Sequence, residues 1–162
     1  MSELQRVQDI HEAMVLQFEL ENRTYFAGSI GDRGDDFFEN FSERHRELLV
    51  EQEAGTCAYY VLIDENESVA GRFNLYDLID EAAEVGYRVG QRFSGRGVAT
   101  FGLSQLCQIA RENHALRTLR AKTSDANVAS QRVLAKAGFG VIGTADVAGR
   151  RGIRHELNLE GL

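Results

Sequence analysis

The stretch GQRFSGRGVATFGLSQL, residues 90 to 106, sets Gly95 and Gly97 on either side of Arg96, directly ahead of a run with helical apolar spacing. Glycine is weak inside a helix, so the pair belongs to a turn or to a place where something approaches the backbone closely. A strand, a glycine turn and a helix start in succession gather free N–H groups and the positive end of a helix dipole in one concavity, an arrangement that holds phosphate. Ser94, Gly95, Arg96, Gly97, Val98, Ala99 and Thr100 can present amides there, and Arg96 or Arg92 can add charge. The spacing is not that of a Walker loop, which needs a following Lys and Ser/Thr, nor of the Rossmann G-x-G-x-x-G turn. A second polar group follows in DANVASQRVLAKAGF, where Asn127 begins a short helix, Ser130 lies one turn on, and Lys136-Ala-Gly-Phe closes it.

The elements that must position these residues follow from periodicity. LQRV (4 to 7) reads as a short strand. Ile10, Met14, Leu16, Phe18 and Leu20, with Tyr25 and Phe26, suit an amphipathic helix over about 9 to 25. Asp35 can cap a second helix, carrying Phe37, Phe38, Phe41, His45, Leu48 and Leu49 to about 54, with Gly55 as its stop. CAYYVLI (57 to 63), SVAGRFNLYDL (68 to 78) and EVGYRVG (84 to 90) are aromatic and β-branched runs separated by polar turns, hence three strands. Val98, Phe101, Leu103, Leu106, Ile109 and Ala110 support a helix to about 114, and LRTLRAKT (117 to 124) alternates as a strand. The short helix that follows points Val128, Val133 and Leu134 inward and stops at Gly138, and GVIGTADV with IRHELNL closes as a hairpin. The order predicts an α/β fold whose mixed sheet is covered on both sides.

Composition narrows the function. The 162 residues fit one domain, 1 to 162, with no proline, no low-complexity tract and no repeat to mark a linker. Cys57 and Cys107 lie in apolar runs without metal-ligand spacing, which suits reduced core residues of a cytoplasmic protein. No apolar run approaches the length of a membrane span, so no membrane partner is expected. A formal net charge of -7 leaves no broad basic field for nucleic acid. Basic residues concentrate in the second half, so an anionic ligand belongs there.

The two motifs together, in this order and at this separation, resemble the GNAT superfamily of acyl-CoA-dependent N-acetyltransferases. SGRGVA is similar to that superfamily's [Q/R]-x-x-G-x-[G/A] pyrophosphate loop, with Gly97 and Ala99 at the small positions and Ser94 in place of the usual Gln or Arg. N-x-x-S-x-x-V-L-x-K-x-G-F resembles the subgroup that acetylates the N-termini of ribosomal proteins. The resemblance covers roughly residues 57 to 160. It implies a mostly antiparallel central sheet splayed in the middle, acetyl-CoA as cosubstrate, and an amine acceptor: a protein N-terminus, or a small amine such as a polyamine, an amino acid or an antibiotic. It also admits a homodimer, dimers being common in the family.

The family's implied reaction is direct attack by an uncharged amine on the thioester, with pantetheine lying in the splay beside strand 84 to 90. Tyr87 and Val89 would offer it backbone partners, the amide near Val89 would serve the oxyanion, and Asn127 would contact pantetheine. Glu84 is the first candidate base, against a solvated strand-end carboxylate; His155 is the second, against a structural histidine. An α-amine with pKa near 8 lowers the demand on either. Leu134 stands where many relatives carry the tyrosine that protonates the leaving thiolate, so Ser130 is the candidate donor unless it is only a local cap. The missing tyrosine also admits a catalytically silent acyl-CoA-binding module.

Overall fold

A computed structural model describes residues 3–161. In chain order the elements are β1 (Gln5–Arg6), α1 (Glu12–Glu21), α2 (Arg23–Ala27), α3 (Asp35–Glu39), α4 (Phe41–Glu53), β2 (Ala58–Ile63), β3 (Val69–Ile79), β4 (Ala82–Val89), α5 (Val98–His114), β5 (Thr118–Ser124), α6 (Val128–Lys136), β6 (Gly140–Val147) and β7 (Arg150–Asn158). The seven strands form one sheet in the order β1-β2-β3-β4-β5-β7-β6. All neighbours are antiparallel except β4 and β5. The mixed α/β sheet, mostly antiparallel and splayed at its middle, is the fold that the sequence implies.

Strand alternation sends side chains to two faces. Ala83, Val85, Tyr87 and Val89 of β4 join Leu119 and Ala121 of β5 in a core shared with Leu103, Leu106 and Ala110 of α5 and Leu134 of α6. On the opposite face Tyr59, Val61 and Val69 pack with Val15, Phe18, Phe26 and Phe41 from α1, α2 and α4. Both cysteines are buried and free, as expected of core residues.

The two N-terminal helices differ from the sequence reading. Each is interrupted at an asparagine: the Asn22 side chain competes with the helical backbone, and Asn40 Nδ2 donates to the Asp36 carboxylate at 2.8 Å. Asn22 Nδ2 donates to the Phe18 carbonyl at 2.9 Å, and its Oδ1 accepts from the Gln91 amide at 2.9 Å, tying the end of α1 to the start of the glycine turn. The buried stripe is His11, Val15, Phe18, Glu19, Asn22 and Phe26, whereas Ile10 is 76% and Leu20 47% exposed. Three arginines explain the inversion: Arg72 reaches Glu19 at 2.7 Å, Arg33 at 3.0 Å and Arg88 at 3.2 Å. They draw a polar face inward and hold the Glu19 carboxyl below its usual range despite burial. Val128 is likewise corrected: as the first residue of α6 it is 48% exposed, while Val133 and Leu134 pack inward as expected.

Candidate active site

β4 and β5 pair only at Ala82↔Thr118, Ala83↔Leu119 and Glu84↔Arg120. Beyond Glu84 they part, because β4 continues along β3 to Val89 while β5 follows β7 to Ser124. Among the described residues, the β4 backbone from Val85 to Val89 therefore has no strand on its β5 side. A cavity of about 530 Å³ passes through this gap. Val85, Tyr87, Ala121, Thr123, Asn127 and Ser130 line it on the α5–α6 side; Gly86, Lys122, Ser124 and Arg150 line it on the other, where Ala27 to Gly31 form a wall after α2.

Gly97 is the N-cap of α5, with φ +75°, and Gly95 has φ +73°, backbone that favours glycine. A side chain at Gly97 would meet nothing within 4 Å, so this turn opens outward. No amide from Gly95 to Thr100 donates to a backbone acceptor among the described residues; Phe101 is the first, bonding the Gly97 carbonyl at 3.0 Å. These are the orphan donors of a helix start; the Ser94 amide, expected among them, is instead taken by the Gln91 carbonyl at 3.2 Å, because a single 3-10 turn precedes the glycines. Arg92, in contrast, is an ion pair with Glu21 at 3.1 Å, which leaves Arg96 as the cation on the turn. Gly102, one turn into α5, meets a different demand: a Cβ there would lie 2.1 Å from the Phe73 ring. Its absence lets α5 sit directly on Phe73, which stacks on Tyr87 with centroids 5.9 Å apart.

Asn127 caps α6, its Oδ1 accepting from the Ser130 amide at 3.1 Å, and Nδ2 is left for another partner. Gln131 fixes the preceding loop by donating to the carbonyls of Ser124 and Asp125 at 3.1 Å each. The Tyr87 hydroxyl is buried and completes no hydrogen bond among the described residues. Burial pushes its pKa up, and the Ser130 hydroxyl offsets part of that rise. The sequence reading used Tyr87 only for its backbone. Period-two alternation places its ring on the face opposite Glu84 and so toward α6, a signal present in EVGYRV.

Glu84 stands at the mouth of the gap, half-buried, on the face opposite Tyr87. It is not brought together with Tyr87, Asn127 and Ser130 in the cavity lining. His155 points to the α5–α6 face, is buried, and meets Thr123 Oγ1 through Nε2 at 2.9 Å. Burial lowers its pKa, and Thr123 stands between it and the cavity. Phe37, Phe38 and Phe41 pack edge-on among themselves. They do not line the gap, whose wall is Ala27 to Gly31.

Residues 7–140 match the family described as acetyltransferase (GNAT) domain. The chain is a GNAT acetyltransferase. Enzymes of this family use acetyl-CoA, and the free amides at the start of α5 and the unpaired edge of β4 fit a pyrophosphate and an extended pantetheine arm. This GNAT fold is also that of solved relatives at low identity. A ribosomal-protein-S5-alanine acetyltransferase from Vibrio fischeri superimposes with a TM-score of 0.89 at 20% identity, covering 97% of this chain and 92% of that one. RimJ of Mycobacterium smegmatis, in complex with CoA-disulfide, gives 0.86 at 21% identity over 98% and 82%. A chimera of the Vibrio cholerae spermidine N-acetyltransferase SpeG gives 0.81 at 13% identity over 98% and 95%. No curated protein matches the sequence. Among the described residues no helix is long and apolar enough to cross a membrane, and no group of acidic, histidine or cysteine side chains could hold a metal ion.

Proposed function

We propose that this acetyltransferase modifies the α-amine of a protein N-terminus. Acetyl-CoA supplies the acyl group as a thioester. The amides of Gly95, Arg96, Gly97, Val98, Ala99 and Thr100 bind its pyrophosphate, the β4 edge at Tyr87 and Val89 aligns pantetheine, and Asn127 Nδ2 contacts it. Glu84 accepts the ammonium proton, directly or through water. The neutral nitrogen then bonds the acyl carbon as the C–S bond breaks, Ser130 Oγ–H hydrogen-bonds the departing thiolate, and the sulfur takes up the proton that the acylated nitrogen releases, passed on through Ser130 Oγ as it accepts one proton and gives its own. Tyr87 supports that last role, because a buried hydroxyl without a partner can donate to Ser130 Oγ and turn the Ser130 hydrogen toward the cavity.

The observation that carries this reading is the cavity in the opened sheet: Tyr87, Asn127 and Ser130 line one side, while the other is a strand face on which Lys122 and Arg150 are exposed. A polypeptide end can be laid along such a face. The Vibrio fischeri relative is named for acetylating a ribosomal protein, while a spermidine enzyme shares the fold, so an acceptor assay distinguishes the two. The buried, free cysteines suit a reducing cytoplasm. The test is mass spectrometry of products after incubation with acetyl-CoA and a mixed panel of peptides and small amines. Acetylated peptide α-amines are expected; acetylation confined to polyamines overturns the reading.

A further inference from the structure

The acceptor side of the gap carries an unbalanced charge in a chain that is acidic as a whole. Along β5 and β7 the residues on this face are Arg120, Lys122, Arg150, Arg154 and Glu156, with Glu84 beside them on β4. Arg120 and Glu156 neutralise each other at 3.1 Å. Lys122 and Arg154 stand directly opposite in the register, an arrangement of like charges that costs stability. Neither they nor Arg150 makes a side-chain ion pair or hydrogen bond among the described residues. Asp125 lies in the exposed loop after β5, and Asp146, opposite Arg151, points to the other face. Lys122 and Arg150 line the cavity itself.

We propose, resting on the N-terminal acetyltransferase reading, that Lys122, Arg154 and Arg150 select an acidic peptide N-terminus, one with carboxylates on the residues that follow its reactive amine. Three uncompensated cations beside the reaction point repel a polyamine at every one of its charges. They also favour the neutral form of an incoming amine, which is the form that reacts. Length separates a peptide from a free amino acid. From the Lys122↔Arg154 row to Arg150 the ladder runs four residues, about 13 Å of strand, which an extended peptide of about four residues spans. An amino acid's own carboxylate, one carbon from its amine, reaches only the first cation.

The experiment compares kcat/KM for peptides that share one N-terminal residue and carry Glu, Gln or Lys at the second to fourth positions, with spermidine and a free amino acid alongside. Acidic peptides are expected to exceed basic ones by about tenfold or more, with the margin shrinking in high salt. The Lys122→Glu/Arg154→Glu double variant is expected to reverse the order, with acetyl-CoA affinity by calorimetry as the check that it is folded. Neutral peptides outrunning spermidine while acidic and basic peptides run alike, or an order unchanged by the double variant, overturns this proposal and leaves the peptide reading standing. Spermidine running fastest, or no acceptor being acetylated, overturns both.

Discussion

The two sides of the gap are built from different materials. On the α5–α6 side the proposed ligand groups are one capping asparagine in the cavity lining and, outside that lining, main-chain amides at Gly95 to Thr100, held by a helix that rests on Phe73 through Gly102. On the proposed acceptor side they are long charged side chains, Lys122, Arg150 and Arg154, on β5 and β7. Backbone donors are fixed by secondary structure and tolerate almost any side chain that leaves them exposed. Charged side chains choose among ligands by sign and spacing, and exchange more readily. One side therefore suits the part of the reaction common to the family, and the other suits the part that differs between members.

Breaking the backbone side has the largest expected effect. Gly97→Asp adds a carboxylate to the anion turn and strains a position with φ +75°, so acetyl-CoA binding is expected to fall below detection in calorimetry while circular dichroism shows a folded protein. Unchanged affinity would move the pyrophosphate elsewhere. Next comes the anchor of α1 on the acceptor face. Glu19→Gln leaves three arginines around a neutral amide and is expected to cost about 3 to 5 kcal/mol in denaturant unfolding. The sign with pH follows from the depressed Glu19 pKa: its contribution is full above the ordinary carboxylate range and is lost as pH falls through the depressed value. The gap between wild type and variant must close in acid; a constant gap would assign the cost to packing.

Smaller effects sharpen the division between proton acceptor and proton donor. Glu84→Gln is expected to slow acetyl transfer about a hundredfold near neutral pH with cofactor affinity intact, and recovery is expected at alkaline pH, where the amine is already neutral. A rate equal to wild type would give the proton to solvent. Ser130→Ala removes one hydrogen bond to developing charge, about 1.5 to 3 kcal/mol or roughly ten- to a hundredfold in single-turnover rate. Tyr87→Phe keeps the stacking on Phe73 and removes only the buried hydroxyl, so about a three- to tenfold loss in kcat with little change in KM is expected. If Tyr87→Phe costs as much in the Ser130→Ala background as in wild type, the two hydroxyls act separately.

Much of this architecture was legible in the chain because it depends on local spacing. SGRGVAT ahead of a helical run defines a turn and a helix start whatever packs around it, and AYYVLI, VAGRFNL and AAEVGYRV announce strands by composition alone. Asn127 at a helix start, with an amide to cap three residues on, needed no tertiary information either. The first helical region resisted for a physical reason. Its inward stripe contains His11, Glu19 and Asn22, and a carboxylate is buried only because arginines from two distant strands and a loop converge on it. Those partners lie 14 to 69 positions away in sequence, beyond any periodicity. The same holds at the gap: sequence put Glu84, Tyr87, Ser130 and His155 on a common list, whereas pairing register sent Glu84 to one face and Tyr87 to the other and set His155 behind Thr123. Local rules decide where a strand runs and which side chains alternate along it; only the assembled sheet decides which neighbours those side chains meet.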